Sequence, residues 1–226
     1  MKDNKILSTR KVHSNGITIT GLFNVQKLKG IQFESIREES FLKLAEMDVS
    51  VTKVVDQPVK IHLDDFNYTP DFYLEFNNRR PAYVEIKTAE YLKKLIKFHQ
   101  SKVDQIKNWC QLRNIDFYII PIDKIPEPII VNTFFLSGYK EKIVENSIKQ
   151  LILKKIVKKK SFNQKQLIES ISTENCIDKR TLLVQLWSLA SSDEVLVDMR
   201  SNMNIFTKVK SKQKDKSNFL KFPYYI

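Results

Sequence analysis

Glycine and cysteine are scarce in this chain, 4 and 2 of 226 residues, beside 7 prolines and 3 histidines. So few glycines and prolines argue against a low-complexity chain. Cys110 and Cys176 lie far apart inside amphipathic stretches, and with the scattered histidines they show no ligand spacing, which excludes a structural zinc site. Both cysteines are expected to be small core or interface residues in a reducing compartment. No apolar run approaches the roughly 20 residues that span a bilayer. Met1-Lys2-Asp3-Asn4-Lys5 leads into no long apolar segment, so no secretory signal is visible. A cytoplasmic protein with no membrane association is the expectation.

What is present describes a folded protein. Hydrophobic residues make up 42% and aromatics 11%, and the length suffices for one core or two. The net charge of +12 is unevenly spread: residues 1–130 carry 20 basic and 17 acidic side chains, residues 131–226 carry 18 and 9. A basic second part fits a polyanion, nucleic acid or a membrane surface. Charge alone also fits a merely lysine-rich soluble face.

Short apolar stretches with turn residues over 6–33, including Gly16-Ile17-Thr18-Ile19-Thr20, predict an extended arm with one or two strands. Ser35 with Glu38 three residues on forms a capping-box pattern for a helix running to about Met47. Val51–Val55 and Val59–Leu63 alternate and are broken at Gln57-Pro58; Asp71–Phe76 and Ala82–Lys87 predict a strand pair. A helix is expected from about Glu90 to Arg113, with His99 on its apolar face as a core histidine, then a buried strand at Phe117–Ile120. Ile125-Pro126-Glu127-Pro128 stops regular structure. Beyond it come a helix over about 143–156, a helix capped by Asn163, a helix capped by Asp178, and a hairpin over Glu194–Val209, a winged-helix pattern. The expected domains are 1–130, 131–210 and a basic, aromatic tail over 211–226 that docks on something.

Chemistry concentrates in the first part. Pro70-Asp71 puts a carboxylate at the mouth of one strand; Glu85 lies on the next, and the period of two puts Lys87 on the same face as Glu85. Taken singly, an Asp after Pro is commonly a turn residue and Glu-x-Lys commonly a solvated face. With the helix of Glu38 beside this hairpin, three carboxylates and an ammonium converge, a set suited to holding Mg²⁺ against a phosphodiester. Lys87 is then placed to orient or deprotonate water or to stabilise the transition state. That set on a basic chain predicts a metal-dependent DNA nuclease.

Phe33-Glu34-Ser35, Glu38, Phe41-Leu42, Gln57-Pro58, Tyr68-Thr69-Pro70-Asp71-Phe72 and Val84-Glu85-Ile86-Lys87, in this order, resemble the TnsA endonuclease family of heteromeric bacterial transposases. Arg10-Lys11-Val12-His13 and Gly16–Gly21 resemble that family's N-terminal segment. The resemblance covers roughly residues 8–90 by motif and 91–210 by architecture. It implies an α/β fold, a restriction-endonuclease-like mixed sheet flanked by helices, followed by a smaller winged-helix-like domain. It also implies metal-binding Glu38, Asp71 and Glu85, catalytic Lys87, and Mg²⁺ as cofactor with Mn²⁺ as a substitute. Family members can carry Gln where this chain has Glu85, which leaves the metal count open. The implied activity is cutting the 5′ strands at transposon ends, beside the transposase TnsB and the ATPase TnsC, in a bacterial cytoplasm.

Gln57 is either an active-site support or a polar strand end before Pro58. The register favours Glu38 over Glu39, His62 reads as surface polar, and Trp187 reads as core. Lys179 and Arg180 open the third helix of the C-terminal module, where a recognition helix touches DNA; a protein-binding module fits equally. Two rival functions remain: a stand-alone restriction or repair nuclease, and a non-catalytic winged-helix regulator.

Overall fold

The computed structural model describes residues 8, 20–24, 28–140, 142–158, 162–212, 222 and 223. Arg10–His13, most of the expected Gly16–Thr20 strand, Lys159-Lys160, the tail from 213 to 221 and Tyr224-Tyr225 lie outside the described residues. The chain divides into two compact units, Met1–Ile125 with Phe222–Ile226, and Pro126–Lys221.

The first unit begins with an antiparallel pair, β1 (Gly21–Phe23) and β2 (Ile31–Phe33). Helix α1 (Ile36–Met47) follows because Ser35 caps it, its side chain accepting from the Glu38 N–H, and Phe41, Leu42, Leu44 and Ala45 give it a buried side. β3 (Val51–Asp56) comes next, then a small antiparallel pair, β4 (Ile61–His62) and β5 (Asn67–Tyr68). His62 is exposed, as expected. β6 (Phe72–Phe76), β7 (Ala82–Lys87) and β8 (Asp116–Pro121) complete a four-stranded sheet of order β3–β6–β7–β8. Only the β7–β8 pair is parallel. A parallel neighbour needs a crossover, and α2 (Ala89–Gln111), capped by Thr88, supplies it.

Alternation along the strands divides the core between two faces. On one, Phe72 stacks on Phe41 of α1 with ring centroids 5.3 Å apart. On the other, Val55, Tyr73 and Tyr83 pack with Ile106 and Cys110 of α2. The sheet is therefore mixed and flanked by helices, the expected α/β architecture.

Two expectations for α2 and the cysteines need correction. His99 is exposed, not a core histidine, and marks a kink where the backbone leaves helical geometry (φ −136°, ψ 24°). Cys110 is buried, but Cys176 is exposed in the left-handed C-cap of a later helix (φ 53°).

Regular structure breaks at Ile125-Pro126, where the two units divide, and α3 (Glu127–Ser137) then starts with Pro128 in its first turn, where a missing N–H costs nothing. This helix escapes a reading that treats paired prolines only as breakers, and it begins before residue 131. α4 (Asn146–Lys158), β9 (Phe162–Asn163), α5 (Gln164–Asn175) and α6 (Lys179–Ser191) follow, with Asn163 and Asp178 capping α5 and α6 as their positions predict. β10 (Val195–Val197) and β11 (Lys208–Ser211) form the hairpin, and β9 adds to it in the order β10–β11–β9. Trp187 is buried. Buried Asn132 of α3 donates to Met199 O at 3.0 Å and Ser201 O at 2.8 Å and accepts from Met203 N at 3.1 Å, fixing the loop between β10 and β11.

The described part of the aromatic end belongs to the first unit. Phe222 is buried against Phe76 and Tyr118, at 5.1 and 4.8 Å between centroids, and its N–H donates to Asp48 Oδ2 at 3.1 Å. Arg79 covers both Phe76 and Phe222 and donates to the Phe222 carbonyl at 3.2 Å. Phe222→Ala is expected to destabilise the first unit by about 3 kcal/mol, the usual cost of emptying a buried phenylalanine site. Urea unfolding of the full chain measures it; a loss below about 1 kcal/mol contradicts this packing role.

Candidate active site

The site forms where the β6–β7 ladder runs out. Register pairs Phe72 with Val84, so Pro70 and Ile86 come next. Instead the Asp71 side chain reaches across, and Asp71 Oδ2 accepts from the Ile86 N–H at 2.7 Å. Glu85 and Lys87 flank Ile86 and point to the opposite sheet face from Val84 and Ile86, by alternation. Lys87 Nζ lies 2.6 Å from Glu85 Oε1 and 3.9 Å from Asp71 Oδ2. The Tyr68 hydroxyl donates to Glu85 Oε2 at 2.6 Å.

Pattern and spacing assign Tyr68 no role; its place three residues before Asp71 is the one signal in the chain that points to it. Gln57 sits close by: its N–H donates to the Asp71 carbonyl at 2.9 Å. Its backbone takes the left-handed region (φ 38°), strained for a non-glycine residue. The main chain thus ties the end of β3 to the residue bearing the carboxylate.

Glu38 behaves differently. Its Oε1 accepts from Ser35 Oγ at 3.1 Å and its Oε2 from Glu34 N at 3.0 Å, so both oxygens serve the start of α1. It reaches Asp71 as a charge, adding a small upward push to that carboxyl's pKa. Glu38 is thus within electrostatic reach of Asp71, while its hydrogen bonds from Ser35 and Glu34 lie at the start of α1. Two carboxylates and an ammonium meet, and among the described residues no group of three or more His, Cys, Asp or Glu side chains is disposed to hold a metal ion. Glu39 pairs with Lys43 at 3.1 Å, along its own helix. Lys179 and Arg180 are exposed at the start of α6, in the other unit.

Electrostatics at the site are unbalanced toward negative charge. Burial first, then the charge of Glu85, raise the Asp71 carboxyl to about 7; Lys87 and the Ile86 N–H oppose this without cancelling it. Burial alone would lower the Lys87 pKa, but Glu85 and Asp71 outweigh it and hold it raised, so the side chain is an ammonium at neutral pH. In this state Lys87 has no lone pair with which to deprotonate water. Burial and then Glu85 push the Tyr68 phenol well above its ordinary value, keeping it a donor.

Two carboxylates facing one ammonium form a donor set that fits a hard divalent cation, which commonly takes one or two carboxylates with water and phosphate oxygens. Asp71 Oδ1 takes no hydrogen bond among the described residues, whereas Asp71 Oδ2 and both Glu85 oxygens are engaged. Glu85 and Lys87 open into a cavity of about 370 Å³ between the sheet and α2, shared with Tyr68, Tyr91, His99 and Lys102.

A mixed sheet with an acid at one strand mouth and Glu-x-Lys on the next defines the restriction-endonuclease-like class of nucleases. Residues 32–121, less than half of the chain, match the family described as TnsA-like endonuclease N terminal. The match contains Glu38, Gln57, Asp71, Glu85 and Lys87, and it ends before the second unit. This match supports a nuclease reading of the first unit. Comparison with curated proteins found no match. No helix among the described residues is long and apolar enough to cross a membrane.

The raised carboxyl makes a stability prediction. Unfolded, Asp71 releases its proton near pH 3.9; folded, it holds it to about pH 7. Between these values the folded state binds the extra proton, so its stability falls as pH rises. Asp71→Asn keeps an acceptor for Ile86 N–H and removes the cost. Without divalent metal its melting temperature should exceed the unaltered chain's at about pH 8 and match it at about pH 3, by roughly 2–4 °C per kcal/mol released. Calorimetry at both pH values checks this.

Proposed function

We propose that this protein is the Mg²⁺-dependent subunit that cuts the 5′ strands at transposon ends, acting with a DDE-type transposase of the TnsB kind and an ATPase of the TnsC kind. The observation that carries the reading is the contact set of Asp71, Glu85 and Lys87 inside a TnsA-like endonuclease domain. Asp71 and Glu85 are the residues that would hold the cation, with Mn²⁺ as a substitute. When bound it neutralises phosphate charge and acidifies water. Lys87 binds and orients the scissile phosphate, and its raised pKa keeps it cationic for that task. Tyr68 holds the Glu85 carboxylate through its hydroxyl, and Gln57 anchors the main chain behind Asp71. Glu38, which caps α1 and places its charge on Asp71, is the candidate third metal carboxylate.

For the second unit we infer a winged-helix-like module, supported by the order α4–β9–α5–α6–β10–β11. Lys179 and Arg180, exposed at the start of α6, are its candidate DNA contacts. A bacterial cytoplasm suits a subunit that works on chromosomal DNA.

Lys87→Ala and Asp71→Ala are each expected to lower 5′-strand cutting by at least ~100-fold when assayed with both partner proteins, transposon-end DNA and Mg²⁺. Efficient cutting of purified DNA by the chain alone would instead favour a stand-alone nuclease. Unchanged biological output from both variants would favour a non-catalytic regulator. Tyr68→Phe, which removes only the hydroxyl on Glu85, should cost roughly 10–100-fold in activity or in the Mg²⁺ concentration required. A metal titration of strand cutting reads this, and superimposable curves would remove Tyr68 from the site.

A further inference from the structure

The kink at His99 splits α2 into two halves with different roles. Every buried residue of the helix, Val103, Ile106 and Cys110, lies after it. Before it, Tyr91, Ile96 and Phe98 are 47, 52 and 65% exposed, on a segment that also carries Lys93, Lys94 and Lys97. Glu90 is the segment's single acid and is taken by Lys94 at 2.7 Å. Lys93, Lys97 and Lys102 have no carboxylate partner among the described residues; Lys102 lies over the Phe66 ring at 5.2 Å. This half overhangs the cavity into which Glu85 and Lys87 open, and Lys87 Nζ lies 5.7 Å from the Tyr91 ring.

We propose that the pre-kink half of α2 and the cleft beneath it seat the DNA strand to be cut, with Lys102 on its phosphates and Tyr91 and Phe98 against its bases, while Lys93 and Lys97, on the outer side of the helix, meet phosphates of the flanking DNA. The inference rests on the nuclease reading above. Excess positive charge beside exposed aromatic rings suits a nucleic-acid strand, since ammonium groups follow the phosphates and rings accept stacked bases of any sequence. The cleft is continuous with Glu85 and Lys87, so a strand lying there brings a phosphate to them. Stacking on Tyr91 needs a base with a free face, so the seated strand is locally unpaired.

The test uses the full chain carrying Asp71→Asn, in chelating buffer, so that binding is read without cutting. Affinity for a fluorescent transposon-end duplex, and for the same DNA with an unpaired stretch at the cut site, is measured across a salt series. Adding K93Q, K97Q and K102Q should weaken binding about 10–100-fold and flatten the log–log salt slope by about 2–3, near 0.9 for each phosphate that is no longer neutralised. The unpaired substrate should bind tighter than the duplex before these changes and no tighter after them. A charge-matched variant of the second unit, K154Q/K158Q/K165Q, should leave that preference unaltered. In parallel, 5-iodouracil at the cut site should photocrosslink to Tyr91 or Phe98, a readout that needs no lysine variant to fold.

An unchanged salt slope with crosslinks confined to the second unit overturns the proposal. So does a lysine variant that binds DNA normally but no longer captures the partner transposase, which makes this face a protein-docking surface. Should the unaltered chain bind DNA this way yet never cut it with Mg²⁺ and both partners, the nuclease reading fails and the strand seat stands. If it cuts and the lysine variant cuts and binds equally well, only the seat fails.

Discussion

The hydrogen bond from the Ile86 N–H to the Asp71 carboxylate holds the site together. It replaces a main-chain acceptor with a charged side chain at the point where two strands part. The acid at the end of β6 is thereby fixed against the strand that carries Glu85 and Lys87. A charged acceptor makes a stronger bond than a carbonyl. Its geometry leaves Asp71 Oδ1 unengaged and draws Lys87 to 3.9 Å. Burial then sets the cost: two acids and one ammonium, poorly solvated, retain a negative surplus that raises Asp71 to about 7. The fold holds charges together here at the expense of its own stability, as functional sites commonly do.

Much of this architecture was legible because local chemistry and global fold agree. Ser35, Thr88, Asn163 and Asp178 cap helices through their side chains, as short polar residues do before apolar periods. Alternation in Val51–Asp56, Phe72–Phe76 and Ala82–Lys87 divides one sheet between two cores. The pairing of Asp71 with Glu85 and Lys87 follows from a strand pair and a period of two, both written in the chain.

What stayed illegible depended on tertiary context. Glu38 shows the same capping-box spacing whether its carboxylate serves a cation or its own helix, so spacing alone does not foretell the hydrogen bonds it makes at the start of α1. His99 falls on an apolar stripe, yet a stripe predicts burial only where something packs on it, and His99 instead lines an open cavity at the kink. Tyr68 needed a third strand pair to bring its hydroxyl to Glu85 from 17 residues away. Prolines at 126 and 128 look alike as helix breakers and helix starters until the following residues are seen to pack.

The backbone at Gln57 carries one more consequence. A side chain held at φ 38° gives that turn a preference for glycine or asparagine that the chain does not satisfy. Such a replacement would ease the local conformational cost while keeping the N–H that donates to the Asp71 carbonyl, so the tether belongs to the main chain and tolerates a change of side chain.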